Sequence, residues 1–236
     1  VGTLVGTLLS QNYYVKGVDQ KKPHYNYRLP FESIISDVSN IKIIKSLMKD
    51  FDTVISALPY YLNIQIAKIA HDLNLHYFDL TEDVETSKYI RKLSKTSKKV
   101  MVPQCGLAPG LIGIIGSNLA KTFDKLRDIE LRVGALPRYP NGQLAYSFTW
   151  SPHGVINEYL NDAEVIQNGV KKMVPSLDGF EHINIEGQEF EAFSTSGGLG
   201  TMCETYLGKL DTLNYKTIRY PGCLLYTSPS PRDTIR

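Results

Sequence analysis

The chain lacks the marks of a metalloprotein, a disulfide scaffold or a membrane protein. Its three cysteines, Cys105, Cys203 and Cys223, share no metal-ligand spacing and form no even framework, which points to a reducing, cytoplasmic setting and to no metal site. No apolar run approaches the roughly 20 residues that a membrane span needs, and no signal peptide is visible. The formal net charge of +2 is too small to argue for nucleic acid or an anionic membrane surface. The one lysine-rich stretch, Lys88 to Lys99, reads as the solvated face of a helix. At its start the chain has no methionine and no strand before the helix-like run Val1 to Leu9, so further sequence is expected upstream. At its other end, residues 223–236 break from what precedes them and look like translated adapter sequence, a non-native tail that takes Cys223 with it.

What is present is enough for a sizeable core: 236 residues, 42% of them apolar, predict one large or two modest domains. From residue 1 to 102 helical and strand patterns alternate. Strand-like runs at Tyr13–Val18, Ile34–Val38, Asp52–Pro59, Leu75–Leu80 and Lys99–Val102 are separated by helical segments at Gly2–Gln11, Ile41–Lys49, Asn63–Leu73 and Val84–Leu93. In the second of these, Ile41, Ile44, Leu47 and Met48 share a face. Repeated βα units predict a Rossmann-like, doubly wound parallel sheet over residues 1–102, with its first strand missing. Residues 103–222 read as a truncated α+β domain. There the expected elements are a helix at Leu111–Phe123, strands at Ile129–Gly134 and Ala145–Trp150, a helix at His153–Leu160 behind a Ser151 cap and Pro152, and short strands turning at Asn168-Gly169 and Glu186-Gly187.

In a dinucleotide fold the last glycine of the phosphate-binding fingerprint sits in the first turn of a helix, and an acid ends the second strand to hold the ribose hydroxyls. Gly2 and Asp19 fit those two roles. They also fit a helix-packing glycine and a strand-end turn residue, and the two readings stand side by side. Ligands of open α/β sheets lie at the carboxyl ends of the strands, so Asp37, Val38, Ser56, Ala57, Leu58 and Pro59 join the candidate cofactor contacts. Asp19 favours NAD because a carboxylate repels a 2′-phosphate, while Lys21 and Lys22 keep NADP open.

The junction Val102-Pro103-Gln104-Cys105-Gly106-Leu107-Ala108-Pro109-Gly110 has two φ-fixing prolines and two permissive glycines, and should bend where cofactor meets substrate. Candidate substrate contacts are Tyr60, Asp83, Cys105, Gly106, Trp150, His153 and the Thr195-Ser196-Gly197-Gly198 loop. The loop's hydroxyls and glycines precede a helix, where free N–H groups can hold a carboxylate; it is equally a flexible helix entry. Asp83 suits a substrate ammonium or a helix cap. Cys105 reads first as a small buried packing residue, Trp150 as a core or interface aromatic and Arg219 as half of a structural ion pair, while His153 suits an anionic substrate group and a surface or satisfied histidine equally. No single catalytic group is singled out.

The run Asp52–Pro59, the segment Tyr77-Phe78-Asp79-Leu80-Thr81-Glu82-Asp83, the bend Cys105–Gly110, Phe148-Thr149-Trp150-Ser151 and Thr195–Gly198 together resemble the saccharopine dehydrogenase-like family, which includes saccharopine reductases and lysine 6-dehydrogenases. The resemblance covers roughly residues 1 to 222. It implies a Rossmann domain, a second α+β domain that carries substrate contacts and often a homodimer interface, and oxidation or reduction of a carbon–nitrogen bond in a lysine-derived amino acid with NAD or NADP. Ala108 stands where saccharopine reductases tend to have aspartate, which leans toward the lysine 6-dehydrogenase branch. With the first strand and the C-terminal return absent, the chain is expected to be a fragment, its own activity left open. Two rival readings are a carboxynorspermidine-type reductive condensation enzyme and a non-catalytic dinucleotide sensor.

Overall fold

The computed structural model describes residues 1–22, 28–140, 142, 145–148 and 150–223. The chain divides into two compact units, residues 1–81 with 85–103 and residues 82–84 with 104–236. The expected tail lies outside the described residues beyond Cys223, and Cys223 itself is buried.

The first unit follows the βα alternation: α1 (Gly2–Leu9), β1 (Lys16–Asp19), β2 (Glu32–Ile35), α2 (Ile41–Met48), β3 (Thr53–Ser56), α3 (Tyr60–Asp72), β4 (His76–Asp79), α4 (Val84–Ser94) and β5 (Met101–Val102). Every pairing is parallel, β1 with β2 and β3 with β4 with β5. The sheet is nevertheless two pieces and not one. In a doubly wound order the strand that precedes the first helix lies at the centre of the sheet, and among the described residues no strand precedes α1. The core is helix against sheet: Ile44 and Met48 of α2, Ile66, Ala67 and Ala70 of α3 and Ile90 of α4 gather around Leu75 and Tyr77. Ile41, placed on that face by periodicity, is 53% exposed. It sits next to Asn40, whose side chain caps α2 by accepting the Ile43 N–H.

The second unit contains α5 (Leu111–Ala120), β6 (Asp128–Val133), α6 (Pro152–Leu160), β7 (Ala163–Gln167), β8 (Val170–Val174), β9 (Glu181–Ile185), β10 (Gln188–Ser194), α7 (Met202–Tyr206) and β11 (Thr212–Arg219). The two anticipated turns are there, with Asn168, Gly169, Glu186 and Gly187 all at positive φ, as tight hairpins of the primed type require. Ser151 Oγ accepts the Gly154 N–H at 3.2 Å and Pro152 opens α6, as the cap pattern predicts. Two expectations fail. Ala145–Phe148, read as strand, has no ladder, and Thr149 lies outside the described residues. β11, not anticipated, is the organising strand, pairing with β10, β6 and β7. Beneath it Leu213 and Tyr215 pack with Ile129, Leu131, Met202 and Cys203.

Candidate functional site

In the first unit the predicted cofactor residues gather at strand ends. Asp19 closes β1 and Asp37 follows β2, strands in register with Asp19 opposite Ile35. Both carboxylates are exposed. Each accepts a backbone N–H two residues on, Asp19 from Lys21 at 2.9 Å and Asp37 from Ser39 at 2.9 Å. The Ser39 bonds hold the Asp37 carboxyl below its usual range. Gly2, in the first turn of α1, lies against the end of β3: a Cβ there would stand 3.5 Å from that of Ala57. Val38 and Leu58 serve the core, and Pro59 caps α3, which Tyr60 opens.

Ser56, a candidate cofactor contact, is tied into the fold through its hydroxyl. It is buried, and its Oγ donates to Asn63 Oδ1 at 2.7 Å, tying the end of β3 to α3. Asn63 Nδ2 is buried there with no hydrogen-bond partner. On β4, Tyr77 Oη donates to Asp79 Oδ2 at 2.8 Å and the Thr81 N–H to Asp79 Oδ1 at 3.0 Å. These bonds fix the backbone at the mouth of the strands, since a buried carboxylate persists only where hydrogen bonds satisfy it.

In the second unit the bend and the glycine loop come together. The bend closes through Leu111 N–H to Gly106 O at 2.9 Å and Ile112 N–H to Leu107 O at 3.0 Å. Gly110 has φ +133°, and a Cβ there would lie 2.2 Å from Gly106 O, so only glycine fits. Pro109 and Gln104 of the bend lie 3.3 and 3.4 Å from where a Cβ at Gly200 would stand. Cys105, read first as buried packing, is exposed on the bend, because the backbone spends its inward positions on Pro109 and Ala108.

Part of the Thr195–Gly198 loop and of the segment after it is bonded within the unit. The Ser196 N–H donates to Glu158 O, the Gly200 N–H to Gly197 O and the Met202 N–H to Leu199 O, and Thr195 Oγ1 meets Thr217 Oγ1 at 2.7 Å. Its glycines permit packing: a Cβ at Gly197 would lie 2.4 Å from Glu82 O, and one at Gly198 2.2 Å from the Tyr215 ring. Asp83 accepts from Asn157 Nδ2 at 3.1 Å. Trp150 is half-buried, donates from Nε1 to Tyr146 Oη at 3.2 Å and covers Gly154. His153 is exposed in the first turn of α6.

Two charged residues of the second unit, Arg219 and Glu158, are buried close to α6. Arg219 is 4% exposed and, contrary to expectation, forms no ion pair among the described residues; tyrosines hold it, its Nε donating to Tyr159 Oη at 2.9 Å and its Cζ lying 4.4 Å from the Tyr146 ring centroid. Glu158, 8% exposed on α6, has a carboxyl pushed up to about 8, first by burial and then by the negative charge of Glu82, with Arg219 opposing. Glu158 stands five residues from His153, off its face of a helix, so spacing alone does not single it out. The signal that could have found it is its successor: Tyr159 brings the guanidinium to this helix.

The described residues contain no cluster of histidine, cysteine and carboxylate side chains that could hold a metal ion, and no helix long and apolar enough to cross a membrane. Two concavities, about 520 Å³ beside Tyr13 and Arg28 and about 510 Å³ beside Phe123, include none of the predicted site residues.

Parallel βα units with acids at their carboxyl ends, followed by a mixed sheet, define a two-unit dinucleotide-binding protein. The chain belongs to the saccharopine dehydrogenase family: residues 15–102 match its NADP-binding domain and residues 106–227 its C-terminal domain. Saccharopine dehydrogenase [NADP(+), L-glutamate-forming] of Saccharomyces cerevisiae is 28% identical over 163 residues, 62% of this chain and 34% of the relative. Rat mitochondrial alpha-aminoadipic semialdehyde synthase is 27% identical over 163 residues, 61% of this chain and 17% of the relative. The chain thus spans about a third of the first of these relatives and about a sixth of the second. The solved apo yeast saccharopine dehydrogenase shares the fold, with a TM-score of 0.71 at 20% identity over 94% of this chain and 53% of that one.

Proposed function

We propose that this chain carries the cofactor and substrate sites of an NADP-dependent oxidoreductase that moves a hydride at a carbon–nitrogen bond of a lysine-derived amino acid. The observation that carries it is the placement of Asp19, Asp37 and the Ser56–Pro59 turn at the carboxyl ends of parallel strands, the ends where such sheets take dinucleotides. The residues fit the group. Exposed Asp19 suits ribose hydroxyls, exposed Lys21 and Lys22 suit a 2′-phosphate, and Gly2 lets α1 start beside Ala57.

When bound, the nicotinamide supplies the hydride acceptor or donor. The chain's own part is to hold and orient. Buried Asp79, bonded by Tyr77 and Thr81, and the Ser56–Asn63 bond set the backbone at the strand mouths, and fixed geometry is what converts binding into rate. The name of the yeast relative, a saccharopine dehydrogenase that forms L-glutamate, supports an amino-acid substrate, and Ala108 in the bend supports lysine itself as the donor. A homodimer built on the second unit accompanies this reading.

The test is titration of the chain with NADP and NAD, followed by reduced-nicotinamide absorbance with lysine or saccharopine. NADP binding with turnover of either substrate is expected. Tight dinucleotide binding with no turnover of either would favour the sensor reading, and no dinucleotide binding would end the proposal.

A further inference from the structure

The second unit holds a cation and a carboxyl group that are both buried and both short of partners. Arg219 uses Nε on Tyr159 Oη and Nη1 on Ile218 O at 2.9 Å each, while Nη2 bonds nothing among the described residues. Its planar face lies 4.4 Å from the Tyr146 ring centroid and 5.8 Å from that of Tyr159, which fixes the guanidinium without neutralising it. Glu158 stands one residue before Tyr159 on α6. Its backbone carbonyl accepts from Ser196 N–H and Ser176 Oγ, but its carboxyl group accepts no hydrogen bond from any described residue. The two residues feel each other electrostatically yet stay beyond the 4.0 Å of an ion pair.

With nothing bridging them, burial strips the Arg219 guanidinium of its hydration and keeps the Glu158 carboxyl group protonated, which is costly to the charged form of each. A bridging ligand with an anion for Arg219 and a cation for Glu158 would remove that cost. Glu82 adds weight to the acidic side: its carboxylate lies by Gly154 and Trp150, where a Cβ at Gly154 would stand 2.6 Å from Oε1.

We infer that Arg219 and Glu158 form a subsite for the zwitterionic head of an α-amino acid, carboxylate on Arg219 and ammonium toward Glu158. The inference rests on the reading of the second unit as the substrate-binding one and names the end of the substrate that it grips. Arginine is suited to the task, since its fork matches a carboxylate. The reacting carbon–nitrogen bond is then left to the remainder of the substrate.

The test is calorimetric titration of the chain without cofactor, using L-lysine and L-glutamate as probes that share only the head group. Cadaverine, which lacks the α-carboxylate, and 6-aminohexanoate, which lacks the α-ammonium, are the comparators. Both amino acids should bind, and both comparators about tenfold or more weaker. Arg219→Met should bring L-lysine down to the cadaverine level without changing cadaverine. Glu158→Gln should bring it down toward 6-aminohexanoate. Comparators that bind as well as L-lysine, or an amino-acid pair that does not bind at all, would overturn the inference even if neither variant folds. NADP titration of the same sample separates the outcomes: NADP binding without head-group discrimination removes the subsite alone, and head-group discrimination without NADP binding removes the hydride-transfer reading alone.

Discussion

The two units carry charge in opposite ways. In the first, Asp19, Asp37, Lys21 and Lys22 stand exposed at strand ends, and the carboxylates are steadied by backbone N–H groups within their own turns. In the second, Arg219 and Glu158 are carried into the interior by a strand and a helix. Exposed charges can be changed at little cost to the fold and act on ligands through screened fields. Buried ones are locked to packing. Stability in the second unit should therefore be brittle where the first is tolerant.

The sharpest break in that comparison is expected from glycines. Gly198→Ala places a Cβ 2.2 Å from the buried Tyr215 ring, an overpacking that should cost about 1–3 kcal/mol. Gly2→Ala meets only an ordinary 3.5 Å contact with Ala57 and should leave the unfolding midpoint unchanged. Urea denaturation of both variants measures the difference, and equal losses would remove the contrast. Ser56→Ala tests the one place where the first unit is also brittle. It takes from buried Asn63 the hydroxyl that bonds its Oδ1, next to an Nδ2 that already lacks a partner. Such an unsatisfied amide should cost about 1–3 kcal/mol, read by the same denaturation.

Glu158 gives the comparison a pH axis. Its carboxyl titrates near the ordinary 4.5 when unfolded and at about 8 when folded, so across that window the folded state keeps a proton that the unfolded state has lost. Stability from this group is complete below the lower value and drains away as pH rises through the upper one. Burial and Glu82 set the direction, Arg219 resists it, and Tyr159 and Tyr215 contribute no charge there because burial raises both phenols. Glu158→Gln should flatten the fall in unfolding free energy between about pH 5 and pH 8. An unchanged slope would mean that the carboxyl group is solvated.

Much of this was legible in the residues. Apolar strand runs and amphipathic helices gave the first unit element by element, and the Asn-Gly and Glu-Gly turns gave the hairpins. What was not legible had a common cause: residues whose partners are distant in sequence. Tyr146, Phe148 and Trp150 alternate like a strand, but Tyr146 meets Phe148 edge-on at 5.3 Å, accepts the Trp150 N–H and covers Arg219, so local and long-range contacts replace the ladder. In β11 the alternation Leu213, Tyr215, Thr217 was available, but the inward polar residues Thr217 and Arg219 disguise a central strand until β10 and α6 are in place. The glycine loop shows a second demand on the same residues. Glycines that suggest an approaching ligand also admit Glu82 and Tyr215.

The smallest effect should come from Asp19, and its salt dependence decides the comparison. Asp19→Asn keeps an oxygen to accept the Lys21 N–H but removes a negative charge from the strand end. NADP binding should tighten relative to NAD, by about 0.2–1 kcal/mol, because both groups remain in water. Raising ionic strength should shrink that gain toward zero as the screening length falls to a few ångströms, about 3 Å in molar salt. The loss of L-lysine binding in Arg219→Met should hold under the same conditions, since a guanidinium that is 4% exposed is beyond the reach of mobile ions. Calorimetry of both variants at low and high salt measures the two responses together. Parallel salt dependence would mean that the charge in the second unit is as wet as that in the first.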